Sequence, residues 1–87
     1  MRWQLRTTGR AERELAAFPE AVRQRIARRI DLLQIEARPR GSLKLAGTDD
    51  LWRLRVGDYR VIYRIEDAIL VVLVIRIAHR RDVYRGA

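Results

Sequence analysis

Three arginines and a short basic tail carry the chemistry open to this 87-residue chain. Arg53 and Arg55 alternate with Trp52, Leu54 and Val56, and Arg60 follows a Gly57-Asp58 pair. The tail AHRRDVYRGA contributes His79, Arg80, Arg81, Tyr84 and Arg85. Gly57-Asp58 has the composition of a two-residue hairpin loop with glycine at its first central position. Such a loop pairs Val56 with Tyr59, Arg55 with Arg60, Leu54 with Val61 and Arg53 with Ile62. Directly opposed residues point to the same side of a sheet. Arg53, Arg55 and Arg60 therefore cluster on one face, and Trp52, Leu54, Val56, Tyr59, Val61 and Tyr63 form the other. Like charges placed opposite each other cost a strand pair up to ~1 kcal/mol. A solvated face with carboxylates nearby would tolerate them. A phosphate backbone would use them, because guanidinium forks bind its oxygens in pairs. His79 adds one titratable imidazole, and Tyr84 an aromatic ring able to stack on a base.

The composition narrows the choice. The chain has 19 basic and 11 acidic residues, a net charge of +8, one histidine and no cysteine. Lys44 is the single lysine, so eighteen of the basic residues are arginines. The excess attracts polyanions, either nucleic acid or an acidic protein segment. Without cysteine there is no disulfide, no thiolate nucleophile and no cysteine-based zinc site. One histidine makes no metal cluster, and neither metal nor cofactor is expected. Arginine stays protonated and is a poor general base. Ala68 to Ile75, eight residues, is the longest apolar run, too short to span a bilayer. The N-terminal MRWQLRTTGR has no apolar stretch of the kind a secretion signal needs. The expectation is one cytoplasmic domain over residues 1–87, away from membranes.

The elements that must hold the arginines follow from periodicity. Trp3 to Arg6 alternates like a short strand. Thr8 is placed to cap a helix over residues 9–17, with Ala11, Leu15 and Phe18 at helical spacing. Pro19 suits the first position of a second helix. Val22, Ile26, Ile30, Leu33 and Ala37 make its apolar stripe, and Arg38-Pro39-Arg40-Gly41 ends it. Period-two patterns follow at 51–56 and 59–65. Glu66-Asp67 reads as a second tight turn, and Ile69 to Ile77 as a strand apolar on both sides, hence central and covered. With even-length turns, Val71, Leu73 and Ile75 share the arginine face. The order β-α-α-β-β-β gives an α+β domain with a helical hairpin on one face of a curved, mainly antiparallel sheet.

The sequence resembles the RelE/ParE toxin superfamily, and within it the RelE-like branch. The resemblance rests on LWRLRVGDYRVIYRIED (51–67) and LVVLVIRIAHRRDVYR (70–85), with support from TTGRAEREL (7–15), FPEAVRQRI (18–26) and RPRGSLKLAG (38–47). It implies the toxin of a type II toxin–antitoxin pair: a ribosome-dependent endoribonuclease that cuts mRNA in the A site. The ribose 2′-hydroxyl would attack the adjacent phosphate, leaving a cyclic phosphate and a 5′-hydroxyl. The implied partners are a small acidic antitoxin, the ribosome with its mRNA, and operator DNA reached as the toxin–antitoxin complex. The implied catalytic set is Arg53, Arg55, Arg60, His79, Arg80 and Tyr84, and the RNA-binding set is Lys44, Arg64, Arg81 and Arg85. Where some members carry lysines on the strand, this chain has Arg53 and Arg55. Proton transfer then falls to His79, to Tyr84, or to the ribosome and the substrate phosphate, and the residues themselves favour His79. Two other readings of the same fold are a ParE-like gyrase poison that cuts no RNA and a catalytically silent binding protein.

Overall fold

A computed structural model describes residues 2–48 and 50–81 of the chain. The elements are β1 (Gln4–Thr7), α1 (Gly9–Ala16), α2 (Glu20–Leu32), β2 (Ser42–Lys44), β3 (Leu51–Val56), β4 (Tyr59–Glu66) and β5 (Val71–His79). The five strands form one mixed sheet in the order β1-β5-β4-β3-β2, with β1 parallel to β5 and the other pairs antiparallel. The expected α+β order is present, with the short edge strand β2 added to it.

Local chemistry starts and stops the helices. The Thr8 hydroxyl accepts the Ala11 N–H at 3.1 Å and donates to the Ile75 carbonyl at 2.9 Å, so one side chain caps α1 and ties it to β5. Pro19 stands at the cap position of α2, one residue before the helix. The stripe behaves as its spacing demands: Ile26, Ile30, Leu33 and Ala37 are buried and Val22 packs against them. The helix stops at Leu32, however, well before Pro39. Beyond it the backbone tightens to i→i−3 bonds, as in Gln34 N–H to Asp31 O and Ile35 N–H to Leu32 O. The Gln34 carbonyl accepts from the N–H groups of both Arg2 and Trp3. Pairing with the N-terminal strand thus takes the acceptor that further helix would need.

Both helices lie on one face of the sheet. Leu54, Val56, Val61, Tyr63, Ile65, Val72, Val74 and Ile77 meet Ala11, Ile26, Ile30 and Leu33 there. Trp52 and Tyr59 are half-buried at its margin. Among the described residues no element covers the opposite face, so β5 is flanked by strands on both edges but layered on one side only. The loop before β5 is longer than expected. Asp67–Ile69 forms a 3-10 turn, and Leu70 closes it at φ 52°. Arg38 holds this turn through two bonds to Asp67, Nη1–Oδ1 at 3.2 Å and Nη2–Oδ2 at 2.8 Å, while its guanidinium lies 5.2 Å from the Trp52 ring centre. The bond from Arg38 keeps the Asp67 carboxyl below its usual range.

Tyr63 is the only fully buried side chain among these with a polar end, and its hydroxyl donates to the Ala37 carbonyl at 2.9 Å. That bond fastens the segment after α2 to the middle strand. Burial, the leading influence, raises the phenol above its ordinary pKa. Tyr63→Phe strands a buried carbonyl, and we expect it to lower unfolding free energy by about 1–3 kcal/mol. Urea denaturation should show an earlier midpoint with an unchanged slope.

Candidate phosphate-binding site

The β3–β4 hairpin has the register its sequence predicts. Val56 pairs with Tyr59, Arg55 with Arg60, Leu54 with Val61 and Arg53 with Ile62. Gly57, at φ 61°, supplies the left-handed conformation that the two-residue turn requires. Arg53, Arg55 and Arg60 accordingly share the face away from the helices. Arg80 joins them: its N–H donates to the Asp58 carbonyl at 2.7 Å, holding the end of β5 against the hairpin tip.

The cluster is electrostatically tense. Burial first, then the fields of Arg53, Arg55 and Arg80, push the Arg60 guanidinium below its ordinary pKa, with Asp58 opposing. Arg60 Nη1 donates to the Tyr59 carbonyl at 3.2 Å and to the Gly57 carbonyl at 3.4 Å, and Arg55 Nε shares the Gly57 acceptor at 3.4 Å. Arg60 Nε is buried and, among the described residues, has no hydrogen-bond partner. A buried donor without an acceptor is costly. A phosphate held against this face would offset the repulsion among the four arginines.

The remaining candidates separate. Arg64 pairs with Leu73, and Val71 pairs with Glu66, so these residues continue the arginine face as expected. Arg64 Nε lies 3.2 Å from Asp50 Oδ2, an ion pair whose angle makes no hydrogen bond. Lys44 is on β2 and stands opposite Trp52, on the helix side and away from the arginines. Arg81 is exposed, and its N–H donates to His79 Nδ1 at 3.2 Å. Tyr84 and Arg85 lie outside the described residues.

His79 is not brought to the cluster. It pairs with Tyr59, its ring 5.5 Å from the Tyr59 ring in a T-shaped contact, and Tyr59 in turn packs on Phe18 at 5.0 Å. The cause is a β-bulge. Tyr63 pairs with Val74 but Ile62 with Arg76, leaving Ile75 as the extra residue. Such an insertion resets the alternation of everything beyond it. Ile77 turns into the core, Ala78 takes the place opposite Arg60, and His79 turns toward the helices. The signal was in the sequence: strict alternation from Val72 and Val74 would have put Arg76 in the core. Instead Arg76 Nε reaches Glu14 Oε2 at 3.4 Å, and Glu14 Oε1 accepts the Ile77 N–H at 2.8 Å. Glu14, unmarked by sequence reasoning, thus anchors this end of β5.

Comparison with known proteins agrees with the fold. The family model described as the ParE toxin of the type II toxin–antitoxin system parDE matches residues 5–84. The chain belongs to the RelE/ParE toxin superfamily. One chain of the archaeal RelE–RelB complex from Pyrococcus horikoshii OT3 superposes with a TM-score of 0.82 at 32% identity, covering 92% of this chain and 97% of that one. The free E. coli toxin RelE, solved as an arginine-to-alanine double variant, gives a TM-score of 0.78 at 27% identity over 100% of this chain and 95% of that one. Toxin RelG of Mycobacterium tuberculosis is 45% identical over 42 residues, 48% of this chain and 45% of that protein. In these members of a toxin family the sheet frame is shared, so the placement of side chains on each face decides what a given chain does.

The two faces make an experiment simple. His79→Gln should leave affinity for a non-cleavable oligonucleotide within about twofold, while Arg60→Gln should weaken it about tenfold or more, the loss of one charge-assisted hydrogen bond. Fluorescence anisotropy with a 2′-O-methyl RNA distinguishes the two.

Proposed function

We propose that the chain is the endoribonuclease toxin of a type II toxin–antitoxin pair, acting on mRNA in the ribosomal A site. The observation that carries the reading is the gathering of Arg53, Arg55, Arg60 and Arg80 on one side of the sheet, close enough for their charges to act on one another. In this reading the arginines grip the scissile phosphate and stabilise the extra charge of the phosphorane. The ribose 2′-oxygen bonds to phosphorus and the bond to the 5′-oxygen breaks. The products are a 2′,3′-cyclic phosphate and a 5′-hydroxyl. One proton leaves the 2′-hydroxyl and one is delivered to the 5′-oxygen. Among the described residues no imidazole or amine joins the arginines. Proton transfer is therefore assigned to Tyr84, the substrate phosphate or the ribosome rather than to His79. Arg81 and Arg85 serve as flanking RNA contacts, with Arg64 on the arginine face itself, while Lys44, on the helix side, is left out of the site.

A small acidic antitoxin is the proposed partner, supported by the similarity to chains solved in RelE–RelB complexes. Its carboxylates would neutralise the cluster, and the complex rather than the free chain would bind operator DNA. The proposed location is the cytoplasm; no helix among the described residues is long and apolar enough to cross a membrane.

A second reading draws on the ParE description of the family match and on the separation of the imidazole from the arginines: a gyrase poison that cuts no RNA. One comparison separates them. Primer extension on translated messages should show cuts at A-site codons, abolished by Arg60→Ala combined with Tyr84→Phe, with DNA supercoiling untouched. Unchanged cutting in the double variant contradicts the site, and gyrase-dependent DNA breaks in place of RNA cuts support the second reading.

A further inference from the structure

A second group of guanidiniums stands on α2, beyond the arginine face. Arg25, Arg28 and Arg29, at spacings that bring them to one side of the helix, line an open pocket of about 230 Å³ with Val56 and Gly57. No carboxylate lines it. Arg10, Arg38, Arg64 and Arg76 make ion pairs, and among the described residues none is made by these three. Like charges at i, i+4 cost a helix ~0.2–0.5 kcal/mol, and nothing in the pocket offsets it.

The pocket adjoins the first cluster through one turn. A Cβ on Gly57 would lie 3.0 Å from Arg25 Nη2, so that guanidinium sits close to the turn on the helix side. On the other side the Gly57 carbonyl accepts from Arg55 and Arg60. Positive charge therefore runs around the hairpin tip from one face to the other.

We propose that the Arg25–Arg28–Arg29 pocket is a second phosphate site, taking the backbone of a nucleic-acid strand as it leaves the arginine face over the β3–β4 tip. Three forks around a small open pocket match the oxygens of a phosphate. Val56 is the one apolar side chain in the lining, which offers little of the apolar centre that a protein partner's interface needs. The ligand class rests on the RNA reading above, but the test requires no cleavage.

Two non-cleavable 2′-O-methyl RNAs, of three and twelve nucleotides, are titrated against the full chain across a salt series. The double variant Arg25→Gln with Arg29→Gln should bind the 12-mer at least fivefold more weakly, and its salt slope should be shallower by about 0.7 for each phosphate that is no longer neutralised. The 3-mer should change less than twofold, and the single exposed variant Arg28→Gln should move 12-mer affinity and slope in the same direction. Thermal melting confirms that the variants fold. Equal 12-mer affinity and slope overturn the proposal, as does absence of 12-mer binding by the unaltered chain. Loss of affinity for a poly-glutamate peptide with the 12-mer unaffected assigns the pocket to a protein partner and also overturns it. Failure of the nuclease reading alone appears differently: no cuts in translated messages, with the 12-mer effect intact.

Discussion

Two positive charges face each other across the tip of a two-residue turn, and the site depends on their staying there. Arg55 opposite Arg60 is unfavourable by up to ~1 kcal/mol. The apolar residues on the other side of the same strands hold the register against it. Leu54, Val56, Val61 and Tyr63 are all buried, each contributing about 1.5–3 kcal/mol through removal from water. A one-residue slip would carry all of them to solvent. The hydrophobic face thus fixes the charged one. Among the described residues, Asp67 pairs with Arg38, Asp50 with Arg64, and Glu14 with Arg10 and Arg76.

The hairpin was legible because its two rules, turn length and alternation, are local and independent and gave the same pairing. Thr8 as a cap and the α2 stripe were legible for similar reasons. The helix end was not, since the group that stops α2 is the carbonyl of Gln34 engaged by Arg2 and Trp3, a tertiary contact that no local pattern announces. The Lys44 strand escaped notice because three residues carry too little alternation to stand out.

His79 shows how one backbone irregularity changes a site. Proximity in sequence to Arg80 suggested a shared surface, yet adjacent strand residues point to opposite faces, and the bulge decides which of the two joins the cluster. Arg80 does. The four arginines then gather their charge with no imidazole or amine beside them among the described residues, and the proposed phosphate grip draws on that arrangement. The same turn that unites them also brings Arg25 to its back, so the hairpin tip organises the charge of both faces.

The central claim is that this repulsion persists because a phosphate uses it. Arg60→Glu converts the opposed pair into an attractive one without touching the apolar face. The account predicts that calorimetry shows a melting temperature raised by about 2–6 °C, in line with a gain of up to ~1 kcal/mol in a domain of this size, while oligonucleotide affinity falls more than about tenfold. A lowered melting temperature with RNA affinity retained would contradict it, because the arginine pair would then serve the fold and not the ligand.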